Sequence, residues 1–221
     1  MMSNLQQQKE IIDVFQRRYA TKKFNPERKI SEKDWETIME SARLAPSSFG
    51  FEPWKFLLIE NPEVRQEIKE MAWGAKKTID DASHFIVILA RKNMTLENPH
   101  IQHMIEDVNG RTFDPESRFC QLFDDFQRND LQLTTERALF DWASKQTYIA
   151  ASQMMTAAAF LDIDSCPIEG FNQEKVDAYL AQNGWMDPKE FGVSLMISFG
   201  YRDEDIKPKT RQSLEEIYEV I

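Results

Sequence analysis

Residues 142–171 read WASKQTYIAASQMMTAAAFLDIDSCPIEGF, and their reading decides the architecture. From Ile149 to Leu161 the apolar residues fall on nearly every side of a helical projection. A helix that is apolar all round is buried all round. Ser152, Gln153 and Thr156 interrupt the run, which makes it a core helix and not a membrane span. Ala150, Ala151, Ala157, Ala158 and Ala159 let neighbouring backbones come close, and Met154 and Met155 fill irregular gaps. Asp162 and Asp164 break the run, and Cys166-Pro167-Ile168-Glu169-Gly170 follows. Pro167 fixes a dihedral and removes a donor, while Gly170 permits a close backbone approach. Glu169 is then either the lip of a site or part of a plain helix-to-strand turn, and the plain turn is the simpler reading.

On the N-terminal side, residues 7–17 form an amphipathic helix with Ile11, Ile12, Val14 and Phe15 on its apolar face. Ser31 opens a second helix, with Asp34 in the place of the capping-box glutamate, and Pro46 ends it near Ala45. The loop Pro46-Ser47-Ser48-Phe49-Gly50-Phe51-Glu52-Pro53-Trp54 sets two hydroxyls among aromatics, a composition suited to a flat polar heterocycle or to an ordinary turn. Residues 55–60 read as a strand, Asn61-Pro62 starts another helix, and residues 84–90, HFIVILA, read as a strand covered on both faces. His84 is a packed residue at that strand's start. Residues 93–137 are charged and irregular, with Phe113, Phe119, Phe123 and Phe126 scattered through them; they read as helices with a mobile loop, a lid or a dimer arm. His100 and His103 read as exposed polar residues. Residues 174–182 form a surface helix, and residues 193–201 a third central strand. The tail, residues 212–221, carries Leu214, Ile217, Tyr218, Val220 and Ile221, and should pack on the body or on a second subunit. Alternating strands and helices give an α/β or α+β domain, one unit over residues 1–221 with an excursion at 93–137.

Composition narrows the function. A net charge of −10 argues against a general nucleic-acid binder, because phosphate affinity is built from accumulated Lys and Arg. Cys120 and Cys166 make no CxxC, and with three histidines lacking ligand spacing they argue against a metal site. No secretory signal or membrane-length apolar run is present, so a cytoplasmic location is expected. Neither GxGxxG nor GxxxxGK[ST] occurs, so a nucleotide would be bound without a Rossmann or P-loop cradle.

Against this acidity two basic clusters stand out: Arg17, Arg18, Lys22 and Lys23, and Lys207, Lys209 and Arg211. If the fold joins them they make a phosphate site, with Arg as bidentate donor and Lys as point charge. Each hydrogen bond to a charged group contributes roughly 1.5–3 kcal/mol, so three offset much of a ligand's ordering cost where one does not.

Six segments then bear on family: RRYATKKF (17–24), APSSFGFEPWKF (45–56), DASHFIVILA (81–90), WASKQTYIA (142–150), DSCPIEGF (164–171) and KPKTR (207–211). In this order, and over nearly the whole chain, they resemble the FMN-dependent nitroreductases, in particular the oxygen-insensitive NAD(P)H nitroreductase and dihydropteridine reductase group. The resemblance implies an α+β fold with a central mixed β-sheet flanked by helices. It also implies an intertwined homodimer whose C-terminal segment is exchanged onto the partner, with tightly bound FMN at the interface. It places Arg18, Tyr19, Ala20, Lys209 and Arg211 around the FMN phosphate and Lys22 at the flavin's pyrimidine edge. Pro46, Ser47 and Ser48 would come from the other subunit. Pro167, Ile168, Glu169 and Gly170 would lie against the ring, Phe123 would roof the substrate pocket, and Lys76 would stand near an asparagine position at the flavin edge.

Three departures from the family pattern bear on detail. Tyr19 and Ala20 stand where histidine and serine are frequent, Glu52 where an amide is common, and Trp73-Gly74-Ala75-Lys76 where the asparagine is expected. The implied reaction is reduction of FMN by NAD(P)H at N5, then two-electron transfer to a nitroaromatic or quinone in ping-pong order. No side-chain acid or base is required; Lys22 and Glu169 shape the site. The alternatives are an FMN-binding module without efficient turnover, and another reaction of the superfamily such as reductive dehalogenation.

Overall fold

The structure is a computed structural model, and it describes residues 3–206 and 208–221. Lys207, expected in the C-terminal basic cluster, lies outside the described residues.

Strands β1 (Trp54–Leu58), β2 (His84–Arg91), β3 (Asp164–Ile168) and β4 (Phe191–Gly200) form one sheet in the order β1-β2-β4-β3. All three pairings are antiparallel. The expected mixed character appears outside the strands, where Ala20 makes a parallel bridge to Ser165 on the free edge of β3. β2 and β4 are the central strands and are buried along almost their whole length. Their near-continuous apolar sequence follows from having both faces covered. On one face Ile86, Ile88, Leu195, Ile197 and Phe199 meet helices α2 (Glu32–Arg43) and α6 (Glu136–Phe160). On the other, Phe85, Val87, Leu89 and Val193 meet α3 (Pro62–Met71) and α7 (Gln173–Gln182). A register shift between Ile88 and Leu89 skips Ser194, whose hydroxyl bonds Thr147 of α6 at 2.8 Å.

β3 is a strand where the sequence suggested only a turn. Pro167 has no N–H for a ladder, yet an edge strand tolerates that. Asp164 is likewise accommodated: its carboxylate is buried but accepts from Arg202 at 3.0 Å (backbone N), 3.1 Å (Nε) and 2.9 Å (Nη2).

α6 starts earlier than the apolar run suggested, at Glu136 with Thr135 as its cap, and runs 25 residues. Its burial is one-sided. Ala150, Ala151, Met154 and Ala158 pack inward, whereas Tyr148, Ile149 and Phe160 are exposed in the single chain. The all-round burial expected from composition is therefore not supplied by this chain alone. The same holds for α1 (Asn4–Arg17), capped by Ser3 and Gln6, where Val14 is buried but Ile11, Ile12 and Phe15 are exposed. The short α8 (Leu214–Ile217) and the residues after it expose Leu214, Ile217, Tyr218 and Val220, so the apolar tail does not pack on its own body.

Residues 93–137 hold α4 (Pro99–His103) and α5 (Arg118–Asp125), each running on into a π-helical turn, at Met104–Val108 and Phe126–Asp130. They close a third core around Phe51, Met94, Phe123, Phe140 and Trp142. His84 stacks on Trp35 with ring centroids 4.3 Å apart, a packed residue as the sequence indicated. His103 is exposed, but His100 is half-buried and donates to the Phe51 carbonyl at 2.7 Å, correcting its reading as exposed.

Arg65 joins α3 to the loop before β2. Its guanidinium donates to the carbonyls of Ile59 (2.8 Å), Ala82 (2.8 Å), Ile79 (3.2 Å) and Ser83 (3.3 Å). Arg65→Met keeps the apolar stem and leaves those carbonyls without their donor. We expect a loss of about 3 kcal/mol, or a Tm lowered by roughly 6–12 °C for a chain this size. A shift under about 2 °C by circular dichroism would show the clamp to be idle.

Candidate active site

Residues 17–24 run along the free edge of β3, held by the Ala20–Ser165 bridge and by the Thr21 N–H donating to the Ser165 carbonyl at 3.2 Å. The segment is thereby placed between the end of α1 and the chain leaving β4. Two of its cations are neutralised locally: Arg17 pairs with Asp162 at 2.6 Å, and Lys23 with Asp203 at 2.6 Å. Arg18 is different. It caps the C-terminal end of α1, and its carbonyl, with that of Phe15, accepts from the Lys209 ammonium. The two basic clusters do meet, through Arg18, Lys209 and Arg211. Burial, then the charge of Arg211, lowers the Arg18 pKa; burial, then Arg18 and Arg211, lowers that of Lys209. Among the described residues no carboxylate forms an ion pair with any of the three. Three mutually repelling cations without a paired carboxylate are a donor set that could take an anion.

Tyr19 does not join them. Its ring faces the Arg202 guanidinium at 5.8 Å, and burial together with Glu204 pushes its phenol up to about 12. Ala20 contributes backbone, through its bridge to β3. Lys22 donates from its backbone to Glu204 at 2.5 Å and from Nζ to the buried Cys166 thiol at 3.1 Å.

The end of β3 carries the second part of the site. Ile168 is buried, and Glu169 is exposed and accepts from the Tyr148 hydroxyl at 2.6 Å. Burial, then this hydrogen bond, raises the Tyr148 pKa. The Gly170 carbonyl accepts from the Gly74 N–H at 2.7 Å. A Cβ on Gly74 would lie 3.1 Å from the Gly170 Cα, tighter than an ordinary contact, and one on Gly170 would lie 2.8 Å from the exposed Trp73 indole, which would have to move. A concavity of about 330 Å³ opens beside Tyr148 and Glu169, lined also by Phe140, Ser144 and Phe171.

Other expected residues stand apart. Ser48 donates from its backbone to Gln146 of α6 at 2.9 Å, and the Ser47 hydroxyl accepts from the Glu52 N–H at 2.9 Å, so the 46–48 loop is anchored at mid-α6. Pro46 there is exposed. Phe49 and Glu52 hold φ of 57° and 44°, in the region costly for residues with a Cβ. Phe123 is fully buried, 4.8 Å from Phe51 and 5.0 Å from Phe49 between ring centroids. It therefore offers no surface as a pocket roof in this structure; its apolar side chain is taken up by the third core. Lys76 is exposed on the turn after Gly74. The wide groove of about 1420 Å³ along residues 95–139 holds none of the expected site residues. Among the described residues no group of His, Cys, Asp and Glu could hold a metal ion, and no helix is long and apolar enough to cross a membrane.

Comparison with known proteins settles the family. The model of the nitroreductase family matches residues 15–201, from the end of α1 to the end of β4. The chain belongs to the nitroreductase family. A protein of Staphylococcus aureus named "Putative NAD(P)H nitroreductase" is 49% identical over 219 residues, covering 99% of this chain and 97% of that one. A like-named protein of Staphylococcus epidermidis is 48% identical over 208 residues, 94% of each chain. A nitroreductase family protein of Streptococcus pneumoniae superposes with a TM-score of 0.72 at 26% identity, over 95% of this chain and 99% of that one. A "putative nitroreductase in complex with FMN" from Exiguobacterium sibiricum shares the fold, with a TM-score of 0.71, 20% identity and 96% of each chain covered. This nitroreductase is thus an oxidoreductase of α+β fold.

Sequence reading missed the Tyr148–Glu169 bond and the Gly74–Gly170 contact. Each joins positions far apart in the chain, and only their residue types, a tyrosine in the long helix and paired glycines, hinted at them.

The cation trio makes a direct prediction with inorganic phosphate as probe. Lys209 attracts the anion only while protonated, and its lowered pKa means that the charge is lost at a lower pH than in a free lysine. Phosphate affinity measured by calorimetry should therefore fall with rising pH over a range below the one in which a free lysine loses its charge. Lys209→Arg keeps its charge over that range and should flatten the profile. An identical profile in the variant would remove Lys209 from the site.

Proposed function

We propose that this nitroreductase is a homodimeric, cytoplasmic FMN enzyme that uses NAD(P)H to reduce nitroaromatic or quinone acceptors. The observation that carries the reading is the trio Arg18, Lys209 and Arg211, an uncompensated positive site in a protein of net charge −10. A phosphate monoester fits that donor set. The Exiguobacterium relative, described in complex with FMN, supports the choice of phosphate ester.

In this reading FMN, when bound, would supply the two-electron redox chemistry that links NAD(P)H to the acceptor in ping-pong order. The chain supplies binding and position. Arg18 and Arg211 grip the phosphate and Lys209, fixed by two carbonyls, adds a point charge. Lys22 lies at the flavin's pyrimidine edge, where a cation favours negative charge. The Pro167-Ile168-Glu169-Gly170 turn presents backbone to the ring, and Tyr148 holds the Glu169 carboxylate at 2.6 Å. No side-chain acid or base is assigned to the chemistry.

The second copy completes the site. Exposed Ile11, Ile12 and Phe15 on α1, Tyr148, Ile149 and Phe160 on α6, and Leu214, Ile217 and Tyr218 at the C-terminus are more apolar surface than one small chain leaves open without use. The partner would cover these faces, receive the C-terminal segment and bring its own Pro46, Ser47 and Ser48 to the flavin. Deleting residues 212–221 should therefore shift the protein from dimer to monomer in analytical ultracentrifugation; a truncated protein that stays fully dimeric refutes the exchanged tail.

The cofactor test is the visible spectrum. The purified protein should be yellow, bleach on anaerobic NADPH or NADH, and recover its colour on addition of a quinone. Arg211→Ala should weaken FMN binding by about tenfold or more, the loss of one hydrogen bond to a charged group. A yellow protein that neither nucleotide bleaches would be an FMN-binding module. A colourless protein that takes up no FMN would overturn the proposal.

A further inference from the structure

We propose that Cys166 is a positioning residue of this nitroreductase: its thiol aims the Lys22 ammonium at the cofactor without cancelling the charge, and so makes bound FMN easier to reduce. The inference rests on the FMN reading above and on the place of Lys22 in it.

Cys166 is the middle residue of β3, fully buried, in the core cluster that also holds Ala75, Val87 and Ile168. A valine would fill such a strand position as well, because a free cysteine packs as a small hydrophobe. The thiol adds two polar contacts. Its sulphur accepts from Lys22 Nζ at 3.1 Å, and its S–H donates to the Pro167 carbonyl at 3.6 Å. Lys22 is otherwise an exposed residue, so a long side chain that could roam in water is folded back onto the edge of β3. Its backbone is fixed separately: the Lys22 N–H donates to Glu204 at 2.5 Å, and the same carboxylate oxygen accepts from the Lys23 N–H at 3.2 Å.

The kind of acceptor decides what this contact does. Arg17 and Lys23, in the same segment, are held by the carboxylates of Asp162 and Asp203, which cancel much of their field. Among the described residues no carboxylate pairs with the Lys22 ammonium. A neutral thiol is a weak acceptor. It occupies one of the three ammonium protons and leaves the charge, with two protons, for a ligand. Reduction adds negative charge to the flavin ring, so a cation fixed beside the ring favours the reduced cofactor over the oxidised one. Without the thiol the ammonium returns to solvent, where its field is screened.

The test is the reduction potential of bound FMN, read against a reference dye without oxygen, in wild type, Cys166→Val, Cys166→Ala, Cys166→Ser, Lys22→Met and the double variant Lys22→Met/Cys166→Val. Cys166→Val and Cys166→Ala should each lower the preference for reduced over oxidised FMN by about three- to tenfold, where tenfold is about 30 mV for a two-electron couple. Affinity for oxidised FMN should change less than twofold, which separates the effect from a damaged core. Cys166→Ser, whose hydroxyl also donates and accepts, should restore most of the potential. Lys22→Met should lower it at least as far as Cys166→Val, and in that background Cys166→Val should add less than a twofold change. A potential that Cys166→Val and Cys166→Ala leave unchanged overturns the assignment. So does an undiminished shift in the Lys22→Met background, because Cys166 would then not act through Lys22. A wild type that takes up no FMN overturns the cofactor reading, and this assignment with it.

Discussion

Three cations held together without a carboxylate repel one another, and a fold keeps such an arrangement only where other contacts hold it. Here the holding is done by backbone. The 19–22 segment is fixed to the edge of β3 by the Ala20–Ser165 bridge, and Lys209 is fixed to the end of α1 by the carbonyls of Phe15 and Arg18. Those carbonyls belong to the last turn of a helix, where the dipole favours a positive charge. The ammonium is thus stabilised by α1 while it is destabilised by Arg18 and Arg211. That balance lets the chain fold with the three cations together.

The sheet explains why β3 is free to do this. β2 and β4 are covered on both faces and take the core, so the outer strand β3 has one edge unused by the ladder. Pro167 lies on this strand, and at its end Glu169 and Gly170 reach Tyr148 and Gly74. The basic segment and the Glu169–Gly170 turn are consequently two uses of a single edge strand: one runs beside it and the other continues it. Arg202, leaving β4, closes the network by holding Asp164 at the strand's start.

Much of this was legible in the sequence where the signal is local. The Ser31 cap, the Pro62 helix start and the apolar run of β2 depend on neighbours within a turn or on a single strand, and they stand as read. β3 was not legible, because Asp164 and Pro167 are poor strand residues unless Arg202 neutralises one and an edge position excuses the other. The meeting of Arg18 with Lys209 and Arg211 could be posed but not decided, since nearly the whole chain separates them. Phe123 was misplaced for a related reason: Phe49, Phe51 and Trp142 converge on it in space, with Phe119 and Phe126 packed on Phe49, and no periodicity announces such a cluster.

The long helix shows how a correct pattern gives an incomplete conclusion. Apolar residues around α6 do imply burial on all sides, but their spacing along the helix cannot say whether the cover comes from the same chain. In the single chain the inward face is closed by α2 and the sheet, while Tyr148, Ile149 and Phe160 remain open together with the apolar sides of α1 and the C-terminus. Burying a Val, Leu, Ile, Phe or Met side chain is worth roughly 1.5–3 kcal/mol, so leaving this many exposed forgoes a large share of the marginal stability of a domain. In the proposed dimer a second copy would recover that energy and bring one subunit's 46–48 loop to the other's turn at the end of β3. Dimerisation and cofactor binding would then be one requirement, and the strained backbone at Phe49 and Glu52 sits in the loop that the partner would present.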